Sequence, residues 1–340
     1  MNRMNRVNTS VLVWGGMWLL VAALQSQAQS LVWTGNVNNV WNTSDSNWLN
    51  AGVSANYADG NGVVFDDTAL VTTNINISGT VSPGSVLFSN TNATGNAYSF
   101  TNGVIAGGGS VSKTGAGVVT FGSPSGGGLS GARPISFSAG TLISRAQGAL
   151  GTGTITFNRS AVVARDLKFD AVSQTVPNNI TISGTSGAAK WIVSSNVVRM
   201  TGTMNLGTSG VNNALSIWGQ GTLELSPANS LVGQTNYWIL GDSTWNTLQS
   251  PVFSVPLGGD LPAEISVKMN YGMFVLSPAM TWSNLIAAHA YTNASTPGVG
   301  KWTYSAGGFA AKGAPQVLNW PAGGFSNLIN QQPRAQPDIR

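Results

Sequence analysis

The chain has 340 residues and a mass of 35.1 kDa, room for one large domain or two small ones. Only 8% of residues are charged, against about a quarter in an ordinary soluble domain, and 43 are glycine, which excludes a helical enzyme with Lys- and Glu-rich wet faces. The 42% hydrophobic content excludes disorder, the absence of cysteine excludes disulfides and thiolate metal sites, and a net charge of +4 without any dense Lys/Arg run argues against a nucleic-acid partner.

The segment 1–28 reads as an export signal. Arg3 and Arg6 precede an apolar run over 11–24, and Ser26, Gln27 and Ala28 form a small-x-small cleavage pattern. The run is shorter than the ~20 residues a bilayer span needs. A mature chain beginning at Gln29 is expected, secreted or displayed at the cell surface, with no membrane span after signal removal.

Residues 29–100 are expected to form an N-terminal capping β segment. Trp33, Trp41 and Trp48 recur at short intervals in it, and such indoles either seal the open end of a stacked core or stack on sugar rings. Asp66 and Asp67 follow the strand-like Val63, Val64 and Phe65; adjacent residues on a strand point to opposite faces, so they suit turn polarity better than a paired acid site, with a Ca²⁺ ligand as the minor reading.

Residues 101–250 carry the repetition. Gly115-Ala-Gly117-Val-Val119-Thr-Phe121, Gly151-Thr-Gly153-Thr-Ile155-Thr-Phe157 and Gly219-Gln-Gly221-Thr-Leu223-Glu-Leu225 share one pattern, a glycine turn feeding an alternating strand. Many short strands punctuated by Gly, Asn and Ser fit a solenoid, with a β-sandwich as the structural competitor. The densest charge cluster is Arg165-Asp166-Leu167-Lys168-Phe169-Asp170. Alternation puts Asp166, Lys168 and Asp170 on one face and Leu167 and Phe169 on the other. Residues 251–340 lose the repeat and form a C-terminal β-rich segment. It holds one short helix, with Ser277 as cap and Pro278 at its first position, that carries the only histidine, His289, on the face of Trp282, Leu285 and Ile286.

The run Gly109-Ser-Val-Ser-Lys113-Thr-Gly115-Ala-Gly117, then Ala139-Gly140-Thr-Leu142, then Gly148-Ala-Leu-Gly151-Thr-Gly153, resembles the autotransporter-associated β-strand repeat. The opening Trp33-Thr-Gly35 and Val64-Phe65-Asp66, and the late Gly307-Gly-Phe-Ala-Ala-Lys-Gly313, are similar to segments of the large secreted proteins that carry this repeat. The resemblance implies a right-handed parallel β-helix that is exported and then displayed or released. No C-terminal set of alternating ~10-residue strands for a membrane barrel is visible, so the resemblance is to a short or truncated member.

Fold class and role follow: an all-β, right-handed parallel β-helix acting as a structural or adhesive surface protein, monomeric, not an enzyme, with cell-surface glycans or other surface proteins as partners. No catalytic, cofactor-binding or metal residues are assigned and no cofactor is expected. The rival classes are a carbohydrate-binding module using its tryptophans, and a β-helical polysaccharide lyase using Asp166, Lys168 and Asp170, the layout of calcium-dependent members. Glu224, Asp242, Asp260 and Glu264 show no linking spacing, and no Gly-x-Ser-x-Gly elbow supports a serine nucleophile.

Overall fold

Alternating apolar and polar residues, broken every few positions by glycine, make each short strand bury one side only, and a chain of such strands buries them together by coiling. The computed structural model describes residues 30–69, 73–91, 97–122, 126–158, 165–184, 189–205, 214–225, 237–241, 251–254, 266–276, 290–291 and 301–311. Among them every element is a β-strand, and the strands stack into a parallel β-solenoid with three faces.

Face A runs from Ser30–Trp33 through Gly62–Phe65, Ser85–Phe88, Val111–Lys113, Ile135–Phe137, Ile155–Asn158 and Ile180–Ser183 to Met204–Asn205, each strand parallel to the next. Face B is the column that includes Val118–Phe121, Gly140–Ser144, Arg165–Phe169, Ala189–Val193 and Ala214–Gly219. Face C includes Gln174–Val176, Val197–Met200, Thr222–Leu225 and Val252–Ser254. The long strands Asn74–Val81, Tyr98–Ile105, Ser266–Leu276 and Lys301–Ala311 cover faces B and C together. A sandwich is ruled out: the only antiparallel pairs among the described residues join Ser30–Trp33, Trp48–Asn50 and Val53–Ala55.

The register partners Val63, Val86, Val111, Ile135, Ile155, Ile180 and Met204 form one inward column, one residue from each successive coil, with six turns between its ends. All seven are buried. A second inward column holds Phe65, Phe88, Lys113, Phe137 and Phe157, and face B contributes Val119, Leu142, Leu167, Trp191 and Ile217. Each such Ile, Leu or Phe contributes about 1.5–3 kcal/mol on burial.

The three Gly-x-Gly copies sit at three different corners. Gly115 and Gly117 turn the chain from face A to B, Gly151 and Gly153 from C to A, and Gly219 and Gly221 from B to C. Positive φ, the reason expected for them, holds at Gly151 (62°) and Gly219 (103°). The second glycine is needed for close approach instead: a Cβ on Gly153 would collide with the Arg133 carbonyl oxygen of the coil below. Parallel pairing starts with Ser30–Trp33 against Gly62–Phe65 and continues through Ser266–Leu276 and Lys301–Ala311, so the stacking extends on both sides of the segment 101–250.

At the N-terminal end the hairpin Trp48–Asn50/Val53–Ala55 covers the first strand of face A. Trp33, Trp41, Trp48, Tyr57 and Phe65 fill the space beneath, at most 1% exposed. Trp41 meets Trp48 and Tyr57 edge to face at 5.3 and 5.4 Å between centroids, the arrangement the ring quadrupole favours. Buried Asn47 ties the loop over them: its Oδ1 accepts the Val37 and Asn38 N–H groups, and its Nδ2 donates to Asn38 Oδ1 and the Val40 carbonyl. Nearby, Asn38 and Asn42 donate to Asp45 and hold its carboxyl below its ordinary range.

Candidate binding surface

The outward side chains of face B form the most charged strip of the described solenoid. Thr141 and Ile143, Asp166 and Lys168, Lys190 and Ile192, and Ser216 and Trp218 pair in register across four coils. Alternation drives this placement: Leu167 and Phe169 take the core, so Asp166 and Lys168 face out, as the sequence predicts, while Asp170 lies just beyond the strand.

The charges are paired. Lys190 Nζ lies 2.9 Å from Asp166 Oδ2 and 4.5 Å from the centroid of the Trp218 ring, so one ammonium serves an ion pair and a cation–π contact. Lys168 Nζ and Arg145 Nη2 each lie 3.5 Å from Asp170 Oδ2. Burial pushes Asp170 up, but the Ala171 N–H, Lys168 and Arg145 outweigh it and hold the carboxyl below its ordinary value. On face C, Arg199 donates from Nε and Nη2 to Glu224 Oε2 at 3.1 and 2.9 Å. The three residues of the lyase reading are thus close in space, yet Asp166 and Asp170 are held by different cations. Among the described residues no group of three or more His, Asp or Glu side chains is placed to hold a metal ion.

The other residues singled out in the sequence have structural surroundings. Trp33, Trp41 and Trp48 are all 0% exposed, so none presents a ring face to a sugar. Asp66 accepts the Thr68 N–H on Oδ1 and the Tyr98 hydroxyl on its carbonyl, and Asp67 accepts the Thr91 N–H and hydroxyl, linking adjacent coils. His289, the helix expected around it, Asp242, Asp260 and Glu264 lie outside the described residues.

Lys190, Arg145 and Trp218 are the strip residues that sequence reasoning passes over. Their signal is register, which appears only once the coil length is known. Three buried cations escape it as well. Arg133 lies inside the coil, donating from Nη1 to the Ala106 carbonyl and from Nη2 to the Pro83 carbonyl at 3.2 Å, so it bridges three successive coils. Arg165 is buried at the start of its strand, and Lys113 occupies the aromatic column. Burial lowers the pKa of all three, that of Lys113 to about 8.

No family model, curated protein or solved structure matches this chain.

Proposed function

We propose that the chain is an exported, non-catalytic structural or adhesive protein, a stiff rod that holds its outer faces away from the surface that carries it. The observation that supports this most strongly is the continuity of the coil. Face A keeps its parallel one-to-one register from Ser30–Trp33 to Met204–Asn205, the N-terminal end is sealed by aromatic rings, and face B runs on to Lys301–Ala311. At about 4.8 Å per coil, the ten face B rungs from Asn74–Val81 to Lys301–Ala311 span roughly 45 Å. Stacked backbone hydrogen bonds in such an array resist bending and local opening.

Three further features favour this reading. The 8% charge leaves a surface of Asn, Ser and Thr, the segment 1–28 has the order of parts of a cleaved signal, and the Gly109 to Gly153 run resembles passenger repeats of autotransporters. The ion pairing of Asp166 and Asp170 weighs against the lyase class. Among the described residues no helix is long and apolar enough to cross a membrane.

Beads coated with the purified chain from Gln29 onward provide the test. They are expected to adhere to cell-envelope material more strongly than uncoated beads. Equal retention of the two would refute adhesion, and turnover of polygalacturonate by the soluble protein would refute the non-catalytic reading.

A further inference from the structure

Face C loses its ladder at one level of the solenoid. The strand Gly128–Leu129 meets the next coil only through the bridge from Leu129 to Leu150, because that coil crosses face C as the turn 146–149, closed by the Ala149 N–H on the Ala146 carbonyl. One coil further, Gln174–Val176 pairs with Val197–Met200 and, among the described residues, with no other strand. Faces A and B run through the same level unbroken. Ile135–Phe137, Ile155–Asn158 and Ile180–Ser183 pair in succession, and so do Gly140–Ser144, Arg165–Phe169 and Ala189–Val193.

Side-chain amides take the place of the missing strand. Gln147 Nε2 donates to the Thr175 carbonyl at 2.8 Å and Gln147 Oε1 accepts the Thr175 N–H at 2.7 Å, the two bonds a strand neighbour would make. Gln174 Nε2 donates to the Ser144 carbonyl at 2.9 Å, and Gln174 Oε1 accepts the Ser144 hydroxyl at 2.6 Å. Asn178 Nδ2 donates to the Gly153 and Leu150 carbonyls at 2.7 and 3.3 Å. Among the described residues no backbone hydrogen bond joins 145–153 to 171–178. A small cavity lies along this seam, lined by Ser144, Leu150, Gln174, Val176 and Asn178, and the buried Asn178 Oδ1 has no protein partner among the described residues.

These bonds differ from a ladder in how they open. Gln147 is exposed, so water competes for both of its bonds to Thr175, and its flexible side chain leaves and returns without any movement of the backbone. On faces A and B a ladder bond opens only if the coils part, and with them the buried columns Ile135, Ile155, Ile180 and Leu142, Leu167, Trp191. Parting the seam also admits water to Asn178 Oδ1 and relieves a cost that the closed state bears.

We infer that this seam is a hinge. The block that ends at Leu150 on face C and the block that begins there at Gln174 tilt apart, while faces A and B stay joined. The solenoid is stiff where all three faces are laddered and bends at this level, opening on face C. The inference goes beyond the adhesive reading, because bending does not depend on what the rod binds.

The experiment measures distances between nitroxide labels by double electron–electron resonance on the purified chain from Gln29 onward, whose lack of cysteine makes labelling at introduced cysteines specific. The pair Thr80→Cys/Val197→Cys spans the seam on face C, and Val64→Cys/Thr181→Cys spans the same coils on face A. At about 4.8 Å per coil each pair of backbone sites lies roughly 24 Å apart. The face C distribution is expected to be at least twice as wide as that of face A. Adding Gln147→Ala is expected to widen it further toward longer distances and to leave face A unchanged. Equal widths on the two faces of the parent, or broadening of both faces alike in Gln147→Ala, would overturn the inference; where Gln147→Ala does not fold, the parent comparison decides. Loss of bead adhesion alongside a wide face C distribution would reject the adhesive reading and leave the hinge standing.

Discussion

Lys113 stands directly over Phe88 in the inward column of face A, one coil further along, and is fully buried there. Phe137 follows it on the next coil, so an ammonium occupies an aromatic position of the core. Its Nζ donates to the Gly115 carbonyl just along the chain, and the methylene stem packs where a ring would.

This burial gives stability a pH dependence. The folded pKa of Lys113 is pushed down to about 8 by desolvation, from an ordinary 10.5. Between those values the unfolded chain binds the extra proton, so stability rises with pH through that window. The penalty is complete below about pH 8, absent above about 10.5, and on the order of 3 kcal/mol. Lys113→Met is therefore expected to raise the midpoint of urea unfolding at pH 7 and to flatten the rise between pH 7 and 10. A variant that unfolds earlier than the parent at pH 7 would contradict the placement.

The glycines separate two kinds of constraint. Gly153→Ala puts a Cβ against the Arg133 carbonyl and is expected to cost several kcal/mol or prevent folding; Gly108→Ala, with nothing within 4 Å and no positive φ, should change stability by less than about 0.5 kcal/mol. Thermal melts of the two variants decide the matter, and equal melting temperatures would refute the close stacking at that corner.

At the N-terminal cap, Trp48→Ala removes a fully buried ring that contacts Trp33, Trp41, Tyr57 and Phe65. A loss of about 3–5 kcal/mol is expected. Trp218→Ala on the outer strip should cost far less, and denaturant titration distinguishes the two.

Much of the fold is legible in the sequence. Alternation puts Leu167 with Phe169, and Leu223 with Leu225, on one face of their strands, and in the structure that face is the buried one for all four. The clustered tryptophans mark the sealed end. Coil length is not legible, because corners of unequal length separate the strands: the coil from Ile135 to Ile155 is shorter than the one from Ile155 to Ile180. For the same reason the Gly-x-Gly copies, which look like one repeat, mark three different corners. The partners of Asp166 are hidden by that unknown register, since Lys190 meets it only after a full coil. Lys113, Arg133 and Arg165 are hidden because a charged residue reads as outward unless the carbonyls or the core position that receive it are known.

The ion pair on face B should be weak in spite of its 2.9 Å distance. Lys190 and Asp166 keep 24% and 17% of their side-chain surface exposed, so a double-mutant cycle with Asp166→Asn and Lys190→Met is expected to give a coupling of about 1 kcal/mol or less, falling with added salt. A coupling of several kcal/mol that ignores salt would point to a desolvated functional site there instead.

The most direct test of an exported rod is brief protease treatment of intact cells expressing the full chain, with the released peptides identified by mass spectrometry. Peptides from the solenoid, together with a mature N-terminus at Gln29, are predicted. Peptides that appear only after lysis, from a chain still carrying the segment 1–28, would contradict the account.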